Sequence, residues 1–300
     1  MMTLPLQTGP LLPPETRRRI RERAIFECHK WDPQIEDQSI LAPFSLTLAP
    51  EAWGELARLA VALARETAAA EAELRRRPEL LRILGLPWRI RRLLERTRAE
   101  PDPLPHPRVD RFDFHFTEAG WRISEVNSDV PGGYIEAGAL ARLHTEEAGV
   151  LLTPLPCPAA ILAASLRRRL SGPSPLVALV HATAYSDDRQ VMEHLADQFA
   201  WEGLRSRLVG PNQIAWRGGV PFTADGGDPD RFDAVFRFFP AEWLPNLGGT
   251  AAWTPWFHGA RVPMANPATA LATQSKRFPL AWDRMETPVP TWRLLLPETL

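Results

Sequence analysis

The sequence predicts an α/β protein, and three observations lead to that prediction. An apolar run at 176–182 is followed by a helical pattern at 187–203 and a second short strand at 206–210. This is the order of a doubly wound α/β unit with a parallel sheet. A third apolar run at 232–239 adds a strand, and residues 108–129 alternate polar and apolar side chains, as a β-hairpin does.

Helical segments precede and separate these strands. Helices are predicted over 15–30, within the Ala- and Leu-rich stretch from Thr47 to Arg77, and from Pro87 onward. The proline-rich residues 101–107 end this helical region, because proline removes a backbone donor and clashes with a continuing helix. A further helix is predicted from Tyr134 to Ala148.

Composition excludes several classes of protein. The net charge is −1, so no overall field attracts nucleic acid or a membrane surface. Cys28 and Cys157 are the only cysteines, and two isolated thiols form neither a disulfide framework nor a metal cluster. Neither a signal peptide nor an apolar membrane span is evident, so we expect a cytoplasmic protein with no membrane partner. Lys30 and Lys276 are the only lysines, so any chemistry that needs a lysine has two candidates.

The predicted hairpin gathers polar side chains on one face. We predict a three-residue loop at 118–120, with Gly120 in the left-handed conformation. Residues two apart on a strand share a face. With this register the polar face contains two opposed pairs, Arg111 with Asn127 and Asp113 with Glu125.

This polar face has the composition of a metal site. Opposed carboxylates with Cβ atoms about 5 Å apart repel each other unless a cation lies between them. Asp113, Glu125 and the amide oxygen of Asn127 form a hard, all-oxygen ligand set that suits Mg²⁺. Arg111 beside them is suited to hold a phosphate oxygen. The alternative is a solvated edge hairpin on which Arg111 neutralises two surface acids.

The order of these residues resembles a known family. The segments RFDF at 111–114 and RISEVNSD at 122–129, followed by YIEAG at 134–138, resemble the Arg-x-Asp…Glu-x-Asn-x-Asp signature of the glutathionylspermidine synthase family, whose ATP-grasp fold is circularly permuted. Two later segments, RFFPAEWL at 237–244 and ATQSKRFPLAW at 272–282, are similar to further segments of that family.

The resemblance implies a reaction and roles for particular residues. It implies an ATP- and Mg²⁺-dependent carbon–nitrogen ligase that joins a small-molecule or peptide carboxylate to an amine acceptor through an acyl phosphate. Asp113, Glu125 and Asn127 would hold Mg²⁺, while Arg111 would stabilise the transferring phosphoryl group and, with Asp113, contact the nucleotide. The residues expected to bind substrate are Asp129, Gly132, Gly133, Glu242 and Lys276.

The glycines in this set have a second interpretation. Gly132 and Gly133 precede a predicted helix, where backbone amides can receive a carboxylate or phosphate, or they form a plain turn. The segment 130–133 also lacks the small hydroxyl or thiol residues of the glutathione-using members. The resemblance therefore does not extend to glutathione as the substrate.

The resemblance also sets the expected domain organisation. We predict that residues 1–172 combine a helical region with the metal-binding part of the ATP-grasp. Residues 173–262 would form a Rossmann-like pre-ATP-grasp domain, and residues 263–300 the start of an ATP-binding lid. The family's lid extends further, so the sequence is expected to be a fragment of a longer ligase.

Two other functions stay open from the sequence. One is a non-catalytic binding or assembly module of the same fold. The other is a metal-dependent hydrolase that uses Asp113 and Glu125. His115, on the polar face, is either a fourth ligand or a hydrogen-bonded structural residue, and His181, at a strand end, has the same two interpretations.

Overall fold

A four-stranded parallel sheet lies at the centre of this α/β protein. The structure, a computed structural model, describes residues 5–97, 106–149, 156–224, 228–248 and 252–297. Within these ranges the strands are β1 (Leu6–Thr8), β2 (Gln34–Ile35), β3 (Gln38–Ser39), β4 (Leu46–Leu48), β5 (Arg111–Thr117), β6 (Gly120–Asn127), β7 (Leu176–His181), β8 (Arg205–Val209), β9 (Ile214–Arg217), β10 (Val220–Thr223), β11 (Ala234–Phe238) and β12 (Met264–Ala265).

The helices confirm the predicted helical segments and add shorter ones. In the described ranges the α-helices are α1 (Pro14–Cys28), α2 (Pro50–Arg76), α3 (Pro78–Leu81), α4 (Trp88–Thr97), α5 (Ala141–Ala148), α6 (Pro158–Arg167), α7 (Ser186–Trp201), α8 (Leu271–Gln274) and α9 (Pro290–Leu295). A π-helix over Ile135–Leu140 runs directly into α5. Of the proline-rich segment at 101–107, only the last two residues lie among those described.

The central sheet has the predicted parallel, doubly wound form. Its strand order is β12-β11-β7-β8, and all three neighbouring pairs are parallel. The chain passes from β7 to β8 through α7, then crosses to the other side of β7 to form β11. The point where the strand order reverses therefore lies between β7 and β11, where Phe238 pairs with His181.

Strand β7 is buried on both faces, as is usual in a parallel sheet. All six of its residues are buried, and successive side chains enter two different cores. Val177 and Leu179 pack with α6 and α7 residues, whereas Leu176, Ala178 and Val180 join a larger core on the opposite face. A strand covered on both faces is a continuous apolar run, as the sequence shows.

The larger core connects distant parts of the chain. It contains buried residues of α2, α3, the β5–β6 hairpin, the central sheet and α9, from Leu63 to Leu295. A separate small core packs α1 against the π-helix and α5. The boundaries predicted after residues 172 and 262 stay a prediction, and this shared core spans both of them.

Several short antiparallel pairs lie outside the predicted elements. They are β1 with β4, β2 with β3, and β9 with β10. Their strands have only two to four residues, too few for a recognisable alternation of polar and apolar side chains. In the part of the chain that the structure describes, no helix has the length and apolar character of a membrane span.

Candidate functional site

The β5–β6 hairpin forms as predicted, but its turn differs from the prediction. Thr117 pairs with Gly120, so the loop contains two residues, Glu118 and Ala119, and not the three predicted at 118–120. Gly120 has a φ of +85° and begins β6. The predicted left-handed Gly120 is confirmed, whereas the three-residue loop is wrong, because Gly120 pairs with Thr117 and so belongs to β6.

A bulge then restores the predicted pairing at the open end of the hairpin. The register shifts between Phe112 and Phe114, where Asp113 lies opposite both Ser124 and Glu125. Beyond the bulge, Arg111 pairs with Asn127 as predicted. A bulge inserts one extra residue in one strand, so the shorter turn and the bulge cancel. The prediction that Asp113 faces Glu125 alone is therefore corrected, because Asp113 faces both Ser124 and Glu125.

The two faces of the hairpin separate core from candidate site. Trp121, Ile123 and Val126 of β6 are buried, while the residues between them are polar. Besides Arg122, which pairs with His115, the polar face carries the side chains of Arg111, Asp113, His115, Ser124, Glu125 and Asn127. His115 Nε2 lies 2.9 Å from Ser124 Oγ, which gives this histidine a hydrogen-bond partner within the hairpin.

Asp113 is held by the neighbouring arginine. Arg111 donates from Nε and Nη2 to the two carboxylate oxygens of Asp113 at 2.8 and 3.1 Å. Its Nη2 also lies 3.9 Å from Glu125 Oε1. The hydrogen bond to Asp113 raises the pKa of Arg111, and the nearby charges of Asp113 and Glu125 add to that effect. The guanidinium therefore stays charged beside both carboxylates.

Glu125 is held by two other predicted site residues. Lys276 forms an ion pair with Glu125 Oε2, and Asn127 Nδ2 donates to Oε1 at 3.0 Å. The Lys276 ammonium, followed by the Asn127 amide, lowers the pKa of Glu125. Glu125 is thus ionised although it faces another carboxylate, and each of its oxygens accepts from a side chain, Oε2 from Lys276 and Oε1 from Asn127.

Glu125, Asn127 and Lys276 line a cleft of about 290 Å³, whereas Arg111 and Asp113 lie on the same hairpin face outside its lining. Its walls come from four regions of the chain: the loop between α3 and α4, the end of β6, the 3-10 helix over Ala241–Asn246, and the segment around α8. The predicted site residues that line it are Glu125, Asn127, Glu242 and Lys276. Carboxylate, amide and ammonium groups converge on this space among apolar side chains such as Leu86 and Leu271.

Asp129 lies beneath this cleft, in a buried ion pair. Its side chain is 1% exposed, and its partner Arg237 is 0% exposed. Arg237 Nη2 lies 2.5 Å from Asp129 Oδ1, and the backbone N–H of Ala241 donates to Oδ2 at 2.8 Å. Both carboxylate oxygens thus have protein partners, and the pair joins the end of β6 to the end of β11.

Gly132 and Gly133 lie between the hairpin and the central sheet. A Cβ atom on Gly132 would be 3.9 Å from Arg111 Nη1 and from Phe238 Cζ, so this glycine sits beside the guanidinium. Gly133 has a φ of +94°, a conformation that favours glycine. The helical segment begins directly after it, as predicted, and Ala137 N–H donates to the Gly133 carbonyl at 2.9 Å.

Sequence reasoning missed the residues that position this site. Arg237 lies inside an otherwise apolar strand, and a charge at such a position signals a buried partner. Gln274 Oε1 accepts from the backbone N–H groups of Ser128 and Asp129, at 3.0 and 2.7 Å. Asn266 Nδ2 donates to the carbonyls of Val109 and Ser128. No local sequence pattern predicts the roles of the Gln274 and Asn266 side-chain amides.

The donor set fits a hard divalent cation. Glu125 and Asp113 supply carboxylate oxygens, and Asn127, whose Nδ2 is engaged, retains its Oδ1 as an acceptor. Among the described residues, no group of three or more His, Cys, Asp or Glu side chains is arranged to hold a metal ion. A metal at this face would therefore rest on two carboxylates and an amide. His181, at the end of β7, is buried, and its Nδ1 has no hydrogen-bond partner in the part of the chain that the structure describes.

Comparison with known proteins gives a class of fold. No protein-family model and no curated protein matches the chain. Among solved structures, the chain is similar to a glutathione synthetase-like effector from Globodera pallida in its apo form, with a TM-score of 0.54 and 13% sequence identity. The match covers 80% of this chain and 58% of that structure. At a coarse level, therefore, the chain has a glutathione synthetase-like fold, consistent with an ATP-grasp-like fold.

Proposed function

We propose that this cleft binds ATP with Mg²⁺ and serves an acid–amine ligase that forms an amide through an acyl phosphate. One observation carries the proposal. Glu125, Asn127, Glu242 and Lys276 belong to three separate segments and line one cleft, and Arg111 and Asp113 lie on the same hairpin face. The likeness to a glutathione synthetase-like structure supports a ligase-type fold.

Each residue has a role that follows from its chemistry. Asp113, Glu125 and Asn127 would hold Mg²⁺, which supplies positive charge at the polyphosphate. Arg111 presents a guanidinium to the oxygens of the transferring phosphoryl group, where charge stabilisation gives most of the catalysis. Its bidentate pairing with Asp113 holds the guanidinium beside that carboxylate.

The reaction proceeds in two displacements. A carboxylate oxygen of the acid attacks the γ-phosphorus of ATP, the bond to the β-phosphate oxygen breaks, and ADP leaves. The amine nitrogen then attacks the acyl carbon, the carbon–oxygen bond to phosphate breaks, and the nitrogen loses a proton. We place the acid beside Gly132 and Gly133, next to Arg111, with Asp129 as a buried positioning residue.

A non-catalytic nucleotide-binding module is the second candidate. The observation that favours it is the charge balance of the hairpin face, where Asp113 has Arg111 as its partner and Glu125 has Lys276. Such a face is stable without a metal. A hydrolase with the same residues would release phosphate with no need for an amine.

Hydroxylamine trapping separates these functions without knowledge of the natural amine. The protein is incubated with ATP, Mg²⁺, hydroxylamine and pools of amino-acid and peptide carboxylates, and ADP and hydroxamate are measured. If the protein is a ligase, we expect hydroxamate and ADP in equal amounts, and only when the pool contains a matching carboxylate. ADP without hydroxamate indicates a hydrolase. ATP binding without ADP release indicates a binding module and contradicts the ligase.

A further inference from the structure

Both carboxylates of the proposed metal site already have a cationic partner from the chain. Asp113 accepts two hydrogen bonds from Arg111, and Glu125 is paired with Lys276. The pairs differ in their connection to the fold. Arg111 and Asp113 are two residues apart on one strand, whereas Lys276 reaches Glu125 from a segment 151 residues away in sequence.

The backbone around Lys276 is held by hydrogen bonds, whereas its side chain extends into solvent. Gln274, two residues before it, is bound to the backbone at the end of β6, and Ser275 Oγ donates to the Leu84 carbonyl at 2.6 Å. The Lys276 side chain is 75% exposed, while the Glu125 side chain is 34% exposed. An exposed ion pair of this kind contributes little stability and exchanges its partner readily.

A divalent cation and Lys276 compete for the same carboxylate. A metal on Glu125 would meet the ammonium at close range, and two positive groups there repel each other. A metal-bound polyphosphate changes this balance, because its oxygens accept the ammonium that the carboxylate releases. A lysine ammonium on a flexible four-carbon stem is well suited to such a transfer.

We propose that Lys276 is an exchangeable counter-ion, which holds Glu125 until a metal–nucleotide complex enters and then moves to the polyphosphate. This inference rests on the proposed function, since it takes Glu125 as a metal ligand. It assigns Lys276 a positioning role that couples metal and polyphosphate binding. The metal alone binds weakly because Lys276 competes with it for Glu125. The metal with nucleotide binds tightly, because the metal takes Glu125 and the polyphosphate takes the ammonium that the metal displaces.

Electron paramagnetic resonance with Mn²⁺ tests this exchange through binding alone. Free Mn²⁺ and preformed Mn²⁺–ATP are titrated against the wild-type protein, Lys276→Met, Glu125→Gln and the double variant. We expect Lys276→Met to bind free Mn²⁺ up to about fivefold more tightly, from loss of the exposed ion pair. We expect it to bind Mn²⁺–ATP about tenfold more weakly, from loss of a charged hydrogen bond.

The double variant and a matched control make the test specific. In the Glu125→Gln background, Lys276→Met should give no gain in Mn²⁺ affinity, because the competition acts through that carboxylate. Arg18→Met removes one positive charge from an exposed ion pair with Glu22 on α1 and should change neither affinity.

The outcomes separate this inference from the proposed function. If the wild-type protein binds Mn²⁺–ATP but Lys276→Met leaves the affinity for free Mn²⁺ unchanged, the exchange is wrong and the nucleotide site stands. A gain that persists in the Glu125→Gln background also overturns the exchange. If the wild-type protein binds no Mn²⁺–ATP, the proposed function fails, and the exchange fails with it.

Discussion

The Asp129–Arg237 ion pair shows how one buried contact can hold a site together. Arg237 also donates to the carbonyls of Phe239, at 2.6 Å, and Asn266, at 3.1 Å. Two ions removed from water are costly unless their hydrogen bonds are satisfied, and here the surrounding backbone satisfies them. The pair therefore fixes the end of β6, directly after the proposed metal ligands, against the central sheet.

Substitution Asp129→Asn leaves Arg237 buried without its counter-charge. We expect the free energy of unfolding to fall by about 3–5 kcal/mol, as for other broken buried pairs. Urea denaturation followed by circular dichroism measures this loss. The control is Glu22→Gln, which removes an exposed partner of Arg18 and should change stability by less than about 1 kcal/mol. Equal stabilities for the two variants would contradict a buried, supporting role for Asp129.

The sequence predicts residues on a strand more readily than their distant partners. Alternation alone places Glu125 and Asn127 on the polar face, since a strand has a period of two. Arg237 lies 108 residues from Asp129, and no local pattern specifies a pairing across that distance. Lys276 and Glu242 are likewise predicted from resemblance, and only the fold brings them to the same cleft.

The hairpin and α9 form a second supporting unit. Trp292 of α9 is buried, and its ring meets those of Phe112 on β5 and Phe278, with centroids 6.2 and 5.5 Å apart. Its Nε1 donates to Thr67 Oγ1 of α2 at 3.1 Å. The core face of the hairpin, opposite the candidate site, thus packs on an aromatic group connected to the long helix.

Substitution Trp292→Ala tests whether this aromatic group supports the hairpin. We expect a loss of about 3–5 kcal/mol in the free energy of unfolding, from lost burial and the cavity that remains. Thermal and urea denaturation measure it. Trp201→Ala is the control, because Trp201 is 78% exposed and should contribute little. A small loss for Trp292→Ala would show that packing against α9 does not stabilise the hairpin.

The bulge in β6 marks a limit of sequence-based register. A two-residue turn shifts the pairing by one residue, and the bulge at Ser124 and Glu125 shifts it back. The turn residues fit either loop length, and no residue type in β6 requires a bulge. The face of Glu125 is therefore predictable, while its opposition to Asp113 depends on irregular pairing that only the structure shows.

Two buried groups give the whole protein opposing responses to pH. Burial raises the pKa of Asp110 to about 6, against the charge of nearby Arg108. Burial, and after it the charge of His29, lowers the pKa of His194 to about 4. Asp110 contributes stability at low pH that is lost as pH rises through about 6. His194 contributes stability at high pH that is lost as pH falls from its ordinary value of 6.5 through about 4.

Single substitutions should separate these two responses. Between pH 4 and 6, Asp110→Asn should make stability fall more steeply with falling pH than in the wild-type protein, because it removes the response that opposes the His194 effect. His194→Gln should shift the slope in the opposite direction, in each case by up to about 1.4 kcal/mol per pH unit. Urea denaturation at several pH values measures both slopes relative to the wild-type protein. Parallel curves for the two variants would contradict the assigned burial of these groups.

The central claim is that the hairpin face and cleft form a metal–nucleotide site, and calorimetric titration with ATP tests it most directly. We expect the wild-type protein to bind ATP only with Mg²⁺ and Asp113→Ala to lose at least about tenfold in affinity. The matched control Asp283→Ala, which removes an exposed partner of Arg293, should bind as the wild-type protein does. Binding that ignores Mg²⁺, or that survives Asp113→Ala unchanged, would contradict the claim.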